Sequence, residues 1–393
     1  MDLDDKIFLY QHKNNRARTR TILKKFRTFA VHVHEKSVSS MDSKQKIRIK
    51  DIARKAGTSV GTVDRVLHNR GEVKEETRVK ILSIIEELNY TPNLLAKSLA
   101  SKKLFRIAVL LPAGNAGNPY WSKPIAGIKR AEDELKDYNF AVDIYTFNDA
   151  NEKSFFEARD EVLKNNPDGV LFNPVFREAA MQFTILLDEL EIPYVFFDVN
   201  IDSGNPLAYF GQDAWQSGFV SGKLINYGIS DNSTVLVLKL ANNKVISHHI
   251  LKREKGFLSY FDNYGLKNIR IISREVDLLH PTELKDTLQK CIKQVDNLAG
   301  IFVSGSRVYQ VAKLFDDLEI NNTILIGYDL IDENLKYLNK GVIDFLISQK
   351  PEEQGYNGVM SLFRHLGAGN NIEKINYSTI DIIMKENLKY LKQ

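Results

Sequence analysis

Residues 49–71 read IKDIARKAGTSVGTVDRVLHNRG and carry a dense local pattern. The apolar residues of this stretch recur at the three- and four-residue spacing of helices. They are Ile49, Ile52, Ala53, Ala56, Val63, Val66 and Leu67. Gly57 suits a left-handed helix exit, and Ser59 is placed to cap a second helix. A helix, a glycine turn and a short capped helix are typical of a helix-turn-helix, although periodicity alone also fits a three-helix bundle without DNA contacts.

The pattern continues to residue 101. A third helix is predicted over residues 75–89. Its inward face is predicted to carry Val79, Leu82, Ile85 and Leu88. Thr91 and Pro92 then open a short segment over residues 93–101, and a helix of about ten residues is marginal alone in water. We therefore expect this segment to be fully helical only when another element packs against it.

From Arg106 onward, apolar strand-like runs alternate with amphipathic helices. The predicted strands are Ile107–Leu111, Val142–Phe147, Gly169–Phe172, Tyr194–Asp198, Thr234–Leu240, Ile269–Ser273, Gly300–Ser304, Thr323–Tyr328 and Val342–Gln349. This repetition indicates α/β architecture with parallel sheets covered on both faces. Because the region exceeds what one doubly wound sheet usually needs, we expect two lobes with a ligand cleft at the carboxyl ends of the strands. The first lobe is predicted over residues 106–205 and 350–370, and the second over 206–349 and 371–393.

Charge divides the chain near the same point. Residues 1–105 carry 23 Lys and Arg against 12 Asp and Glu, whereas residues 106–393 carry 31 against 38. A basic N-terminal part is typical of a nucleic-acid reader, and a solvated basic tail would give the same count. Residues 1–45 lack periodicity, so we expect either that Met41 is the initiator or that a disordered basic arm adds phosphate contacts.

Composition and motifs exclude several classes of protein. No apolar run is long enough for a membrane span, the N-terminus lacks a signal peptide, and the lone Cys291 fits a reducing cytosol. No phosphate loop or nucleophile elbow occurs. His32 and His34 lack a third metal ligand, and residues 248–249, both histidines, are predicted to form a polar loop. We therefore expect no catalysis, no metal and no cofactor.

Residues 47–103 resemble the headpiece of LacI-family bacterial transcription regulators. The matching features, in order, are K-D-I-A, A-G-x-S, T-V-x-R-V-L, E-L-N-Y-x-P-N and A-x-S-L-A. The remainder resembles the family's two-lobed effector domain, a sugar-binding fold shared with periplasmic ribose-binding proteins. The resemblance implies an all-α headpiece over residues 46–91, a hinge helix and linker over 92–105, and a two-lobed α/β ligand-binding and dimerisation domain over 106–393.

The resemblance also implies DNA contacts from the recognition helix and the hinge helix. The residues concerned are Ser59, Val60, Gly61, Thr62, Asp64, Arg65, Asn69, Asn93, Ala96, Lys97 and Leu99. Arg65 can contact guanine O6 and N7, and Val60 can touch a thymine methyl group. Asp64 stands where the family often has a small hydroxyl residue. Leu99 would wedge between base pairs in the minor groove.

In the effector domain the resemblance implies a polar ligand pocket. Its predicted residues are Asn118, Tyr120, Trp121, Arg177, Asp198, Asn200, Arg253, Ser306, Asp329 and Gln349. Arg253 and Asp329 would grip sugar hydroxyls. Many members have Asp-Arg after the fourth strand, whereas Val199 follows Asp198 here, and the stretch Phe176–Arg177 replaces a region that is often acidic. The pocket is therefore built differently from its relatives, and the ligand cannot be identified from the sequence.

We therefore expect a cytoplasmic, homodimeric transcription repressor that binds operator DNA and a sugar-like effector. Two alternatives stay open at this point. One is a sugar-binding protein without regulatory DNA binding, and the other is a doubly wound enzyme.

Overall fold

A computed structural model describes residues 48–67, 71–88, 103–114, 119–241, 246–280, 282–295, 297–315, 317–318, 320 and 322–391. The chain divides into two compact units, Met1–Pro92 and Asn93–Gln393. Part of the predicted site lies outside the described residues, together with the predicted extension over residues 1–45. The site residues concerned are Asn69, Asn93, Ala96, Lys97, Leu99 and Asn118.

The first unit contains three described helices, α1 (Ile49–Ala56), α2 (Val60–Leu67) and α3 (Glu75–Glu87). Helix α1 ends at Gly57, whose φ of 68° lies in the left-handed region that favours glycine. Helix α2 is capped by Ser59, whose Oγ accepts a hydrogen bond from the Thr62 N–H at 3.1 Å. The predicted helix, glycine turn and capped helix are therefore confirmed.

The predicted inward face of α3 is wrong at two positions. Val79 is 57% exposed and Leu82 is 49% exposed, whereas Ile81 and Ile84 are buried against α1 and α2. Helix α3 carries two apolar rows, and spacing within the helix does not say which row meets its neighbours. Packing against Ile52 in α1 selects the row of Ile81 and Ile84.

The second unit has two six-stranded sheets flanked by helices. The strands are β1 Phe105–Pro112, β2 Phe140–Phe147, β3 Gly169–Phe172, β4 Tyr194–Phe197, β5 Ala208–Gly211, β6 Thr234–Ala241, β7 Arg270–Asp277, β8 Leu298–Val303, β9 Ile324–Tyr328, β10 Phe345–Ser348, β11 Ile375–Tyr377 and β12 Asp381–Ile383. The helices are α4 Ser122–Leu135, α5 Glu152–Lys164, α6 Arg177–Glu189, α7 Ala214–Gly228, α8 His248–Asn263, α9 Glu283–Gln294, α10 Val308–Ala312, α11 Asp332–Lys340 and α12 Pro351–Ala368, with 3₁₀ turns at Pro119–Trp121, Lys136–Tyr138 and Leu388–Tyr390.

Each sheet forms one lobe. The first has the order β11-β5-β4-β3-β1-β2 and the second β12-β10-β9-β8-β6-β7. Among the described strands, only β10 and β12 pair in the antiparallel direction. The central strand of each sheet is covered by apolar side chains on both faces, as parallel sheets require. The predicted two-lobed α/β fold is confirmed.

The predicted lobe boundaries need correction. Strands β5 and β11 both belong to the first sheet, and they pair with each other. The boundary at residue 205 therefore lies before a first-lobe strand, and the assignment of residues 371–393 to the second lobe is wrong for β11. These strands are only three or four residues long, so they carry too little alternation to be recognised from sequence.

The chain crosses between the lobes three times, after β5, after β10 and after β11. The side chain of Gln212 joins these crossovers, because its Nε2 donates to the carbonyl oxygens of Ser348 and Thr379, each at 3.0 Å. Lys350 and Asp381, which lie 3.4 Å apart, add an ion pair between the second and third crossovers. These three crossovers form the hinge between the lobes, which is distinct from the predicted hinge helix. The hinge is thus held together by side chains as well as by backbone.

Candidate ligand cavity and recognition helix

A cavity of about 90 Å³ lies where the strand ends of the two lobes face each other. Its polar lining comprises Tyr120, Trp121, Asp149, Asp198, Ser247, His249, Arg253, Ser306, Arg307, Asp329 and Gln349. A site needs roughly 10–15 Å³ to hold a single water, so this cavity is several times larger than a one-water site. This is the space of one small polar molecule.

The first-lobe wall is centred on Asp198, which follows β4. Its Oδ1 accepts a hydrogen bond from the Tyr120 hydroxyl at 2.6 Å, and its Oδ2 accepts one from Asn173 Nδ2 at 3.0 Å. Burial raises the pKa of Asp198 above its ordinary value. Trp121 packs edge-to-face with Tyr120 at 4.9 Å between ring centroids. The aromatic pair therefore belongs both to the cavity wall and to the core beneath it.

The second-lobe wall is centred on Arg253, which is 2% exposed. Its guanidinium lies 3.7 Å from the centre of the Tyr328 ring, a cation–π contact. Its Nη1 donates to the Ser304 carbonyl oxygen at 2.9 Å and its Nη2 to Gln349 Oε1 at 2.5 Å. The Gln349 amide in turn donates to both Asp329 oxygens, at 3.0 and 2.9 Å. Gln349 thereby fixes the positions of Arg253 and Asp329 relative to each other.

The groups around Asp329 determine its pKa. Burial raises its pKa to about 7, against the opposing influence of the Arg253 guanidinium and the Gln349 hydrogen bonds. The nearby Asp198 carboxyl group raises it further. A carboxyl group in this state changes its charge near neutral pH.

Sequence reasoning missed several cavity residues. Asp149 comes just after β2, and an acidic residue at a strand end was a usable signal. Arg307, which lies on the loop after β8, faces it across the lobes with 3.7 Å between Nη2 and Oδ2. Ser247 and His249 line the cavity at the start of α8. The predicted polar loop at residues 248–249 is therefore wrong, because both residues are helical.

Two predicted ligand residues lie elsewhere. Arg177 is exposed at the first position of α6 and lines an adjoining groove rather than the cavity. Asn200 does not line the cavity either, since it stands between the buried Val199 and Ile201 in the loop leaving the site. The chain turns sharply at Asp198, whose φ is 64°, and this turn carries the following residues away from the cavity.

Three buried N–H groups of the cavity wall have no hydrogen-bond partner among the described residues: Trp121 Nε1, Arg253 Nε and Arg307 Nε. Leaving a buried donor unsatisfied costs about 1–3 kcal/mol. A bound molecule with acceptor atoms would recover this cost. The wall is therefore built for a polar ligand rather than for apolar packing.

Helix α2 has the exposure pattern expected of a recognition helix. Val63 and Val66 are buried, whereas Val60 and Arg65 on the other face are exposed. The remaining predicted contact residues of this region are the exposed Ser59 and Gly61 and the half-buried Thr62 and Asp64. The side chains that could read base edges thus stand clear of the helical core.

Within the described part of the chain, no group of three or more His, Cys, Asp or Glu side chains is arranged to hold a metal ion. No described helix combines the length and the apolar character that crossing a membrane requires.

Two family models match the chain. Residues 48–93 match the model described as bacterial regulatory proteins, lacI family, and residues 107–371 match the periplasmic binding protein domain. Catabolite control protein A of Priestia megaterium is 34% identical over 258 residues, which are 65% of this chain and 73% of that protein. The regulator MalR of Streptococcus pneumoniae is 30% identical over 177 residues, which are 44% of this chain and 51% of that protein.

A second catabolite control protein and two solved structures also match the chain. The chain spans 58% of catabolite control protein A of Streptococcus mutans, at 29% identity over 198 residues that are 47% of this chain. Among solved structures, a putative LacI transcriptional regulator from Bacteroides fragilis has a TM-score of 0.69 and 29% identity, covering 74% of this chain and all 100% of that one. A glucose-galactose binding protein from Geobacillus stearothermophilus shares the fold at a TM-score of 0.64 and 21% identity, covering 73% of this chain and 99% of that one.

The matched curated relatives are named as catabolite control proteins and as a transcriptional regulator. The family model at residues 48–93 coincides with α1 to α3, and the model at residues 107–371 covers most of both lobes. The chain belongs to the lacI family of bacterial regulatory proteins.

Proposed function

We propose that this chain is a cytoplasmic transcription repressor that binds operator DNA as a homodimer and responds to a sugar-like ligand in the cavity between its lobes. The observation that carries the ligand part is that residues of both lobes line one cavity and that three of them carry N–H donors that are buried and unpartnered among the described residues. The DNA part is supported by the exposed face of α2 within the matched lacI-family segment.

The proposed mechanism is linkage between the two sites. A ligand that contacts both walls favours the closed arrangement of the lobes, and closure alters how the linker presents the two DNA-binding units of a dimer. Such coupling is typically about 1–3 kcal/mol, or 5–150-fold in affinity. A two-fold symmetric operator matches a two-fold symmetric dimer. The contacts of Lys97 and Leu99 with the minor groove belong to this proposal.

Operator binding is tested by selecting duplexes from random DNA with the full chain and measuring affinity for the selected and a scrambled duplex. We expect the selected duplex to bind at least roughly 10³-fold tighter at physiological salt. Equal affinity for both duplexes would favour the alternative of a sugar-binding protein without regulatory DNA binding. Size-exclusion chromatography with light scattering measures the dimer in the same samples.

The role of Arg65 is tested by substitution. Arg65→Ala should weaken binding to the selected duplex by about 1–3 kcal/mol and relax the preference at one base position. Lys97→Ala should weaken binding evenly across sequences, because a phosphate contact carries no sequence information. Equal losses on the selected and scrambled duplexes for both variants would show that Arg65 reads no base.

A further inference from the structure

Arg307 lies in the cavity wall, where few ion pairs or hydrogen bonds stabilise its positive charge. It is 8% exposed, and its buried Nε has no hydrogen-bond partner among the described residues. Within the described part of the chain, Arg307 forms an ion pair with Asp149. The distance from Arg307 Nη2 to Asp149 Oδ2 is 3.7 Å, which is longer than a hydrogen bond. A buried guanidinium costs free energy unless it is both paired and hydrogen-bonded. Arg307 therefore has capacity for an additional anionic partner.

The carboxylates of the inner wall are, in contrast, already engaged by protein donors. Asp198 accepts from Tyr120 and Asn173. Asp329 accepts with both oxygens from Gln349. Their remaining lone pairs can still accept from ligand hydroxyls.

Three residues that line the cavity, Trp121, Arg253 and Arg307, each carry a buried N–H donor without a hydrogen-bond partner among the described residues. Each hydroxyl of a neutral sugar brings one donor together with its acceptor sites, whereas a carboxylate brings acceptors alone. The planar fork of a guanidinium matches a carboxylate with two parallel hydrogen bonds. Arg253 donates from both terminal nitrogens, to Ser304 and Gln349, whereas the contact of the Arg307 guanidinium is the longer ion pair with Asp149, so Arg307 is the less engaged of the two guanidinium groups.

We propose that the ligand is a sugar acid of monosaccharide size and that Arg307 binds its carboxylate. This proposal rests on the proposed ligand-sensing function and names the ligand class of that cavity. A phosphate group would bring a charge of about −1.5 to −2 into a wall that already holds the carboxyl groups of Asp149, Asp198 and Asp329. A single carboxylate therefore fits better than a sugar phosphate.

The test is isothermal titration of the full chain with D-glucuronate, D-galacturonate and D-gluconate. D-glucose, D-galactose and D-glucose 6-phosphate are titrated alongside. We expect at least one acid to bind at least roughly tenfold tighter than its neutral parent and tighter than the phosphate. A neutral hexose that binds as tightly as its acid, tighter binding of the phosphate, or no binding of any acid would each overturn the proposal.

Arg307→Gln should weaken binding of the preferred acid by roughly tenfold or more and weaken binding of its neutral parent much less. Arg307→Lys, which keeps the charge without the fork, should retain part of the preference. The matched control Arg274→Gln removes an exposed guanidinium and should change neither affinity. Unaltered acid preference in a folded Arg307→Gln protein, with folding checked by melting temperature, would also overturn the assignment.

The same samples separate this proposal from the proposed function. Release of the selected operator by a neutral sugar would support the proposed sensing function and contradict the proposal that the ligand is a sugar acid. Absence of operator binding both without ligand and with every ligand tested would count against the proposed function instead, and would leave the titration result standing.

Discussion

The buried Asp329 side chain makes the stability of the protein depend on pH. Its folded-state pKa of about 7 lies above the ordinary value of 3.8, so the folded protein holds the proton more tightly than the unfolded chain. The contribution of Asp329 to the free energy of unfolding therefore falls as pH rises from about 4 to about 7. Asp198 shifts in the same direction, while Arg253 opposes the rise at Asp329.

Asp329→Asn removes this titration. The free energy of unfolding of the variant minus that of wild type should increase from pH 5 to pH 8, by an amount on the order of 1–3 kcal/mol. Melting curves of the ligand-free protein at both pH values measure the difference. Asp262→Asn, at an exposed position of α8, is the control and should show little pH-dependent difference. If the melting temperatures of Asp329→Asn and wild type differed by the same amount at pH 5 and at pH 8, burial would not raise the pKa of Asp329.

Much of the cavity could be read from residue types at strand ends and in matched motifs. The predicted residues that line it are Tyr120, Trp121, Asp198, Arg253, Ser306, Asp329 and Gln349. His249 was missed because its contribution depends on how the two lobes approach each other, which no local pattern encodes. Asp149 could have been found from its position just after β2. Asn200 was misplaced because sequence order does not report the turn at Asp198, and Arg177 because it does not report the exposure of the α6 N-terminus.

At the scale of elements, the packing of α7 against α8 sets the position of Arg253. A Cβ atom added at Gly218 in α7 would lie 1.9 Å from the Arg253 carbonyl oxygen in α8. Real Cβ contacts are far longer, so the two helix backbones can approach this closely only with glycine at that position. The close approach places the Arg253 side chain in the cavity wall.

Gly218→Ala should therefore push α8 away from α7. We expect a loss of stability of about 1–3 kcal/mol from overpacking, together with weaker ligand binding because Arg253 is displaced. Chemical denaturation and ligand titration measure the two effects. Lys223→Ala, on the exposed face of α7, should alter neither. Normal ligand affinity in a destabilised Gly218→Ala protein would mean that the helix contact does not position Arg253.

The elements themselves were predicted with uneven success, for physical reasons. Long buried strands such as β1 and β6 are continuous apolar runs, which a parallel sheet requires. The short strands β5, β11 and β12 form through pairing with distant segments rather than because of a local sequence pattern. The buried row of α3 was likewise decided by α1, since the helix offers two apolar rows.

At the scale of the whole molecule, closure of the lobes depends on the three crossovers. The Gln212 side chain donates to the Ser348 and Thr379 carbonyl groups, so it links all three. Its Oε1 is buried without a hydrogen-bond partner among the described residues, which indicates that its position is fixed by the two donated bonds. A change at Gln212 alters the hinge without touching the cavity lining.

Gln212→Ala should loosen the hinge and lower the population of closed, ligand-competent lobes. Because apparent affinity scales with that population, ligand binding should weaken roughly threefold to tenfold, with the cavity chemistry unchanged. Losing two buried hydrogen bonds should also cost about 1–3 kcal/mol of stability. The measurements are ligand titration, denaturation and operator affinity with and without ligand. The exposed Gln216, substituted by alanine, is the matched control. If Gln212→Ala were destabilised yet kept its full ligand affinity and operator response, the amide would stabilise the fold without governing closure, and lobe movement would have to be set by the Lys350–Asp381 contact or by the backbone alone.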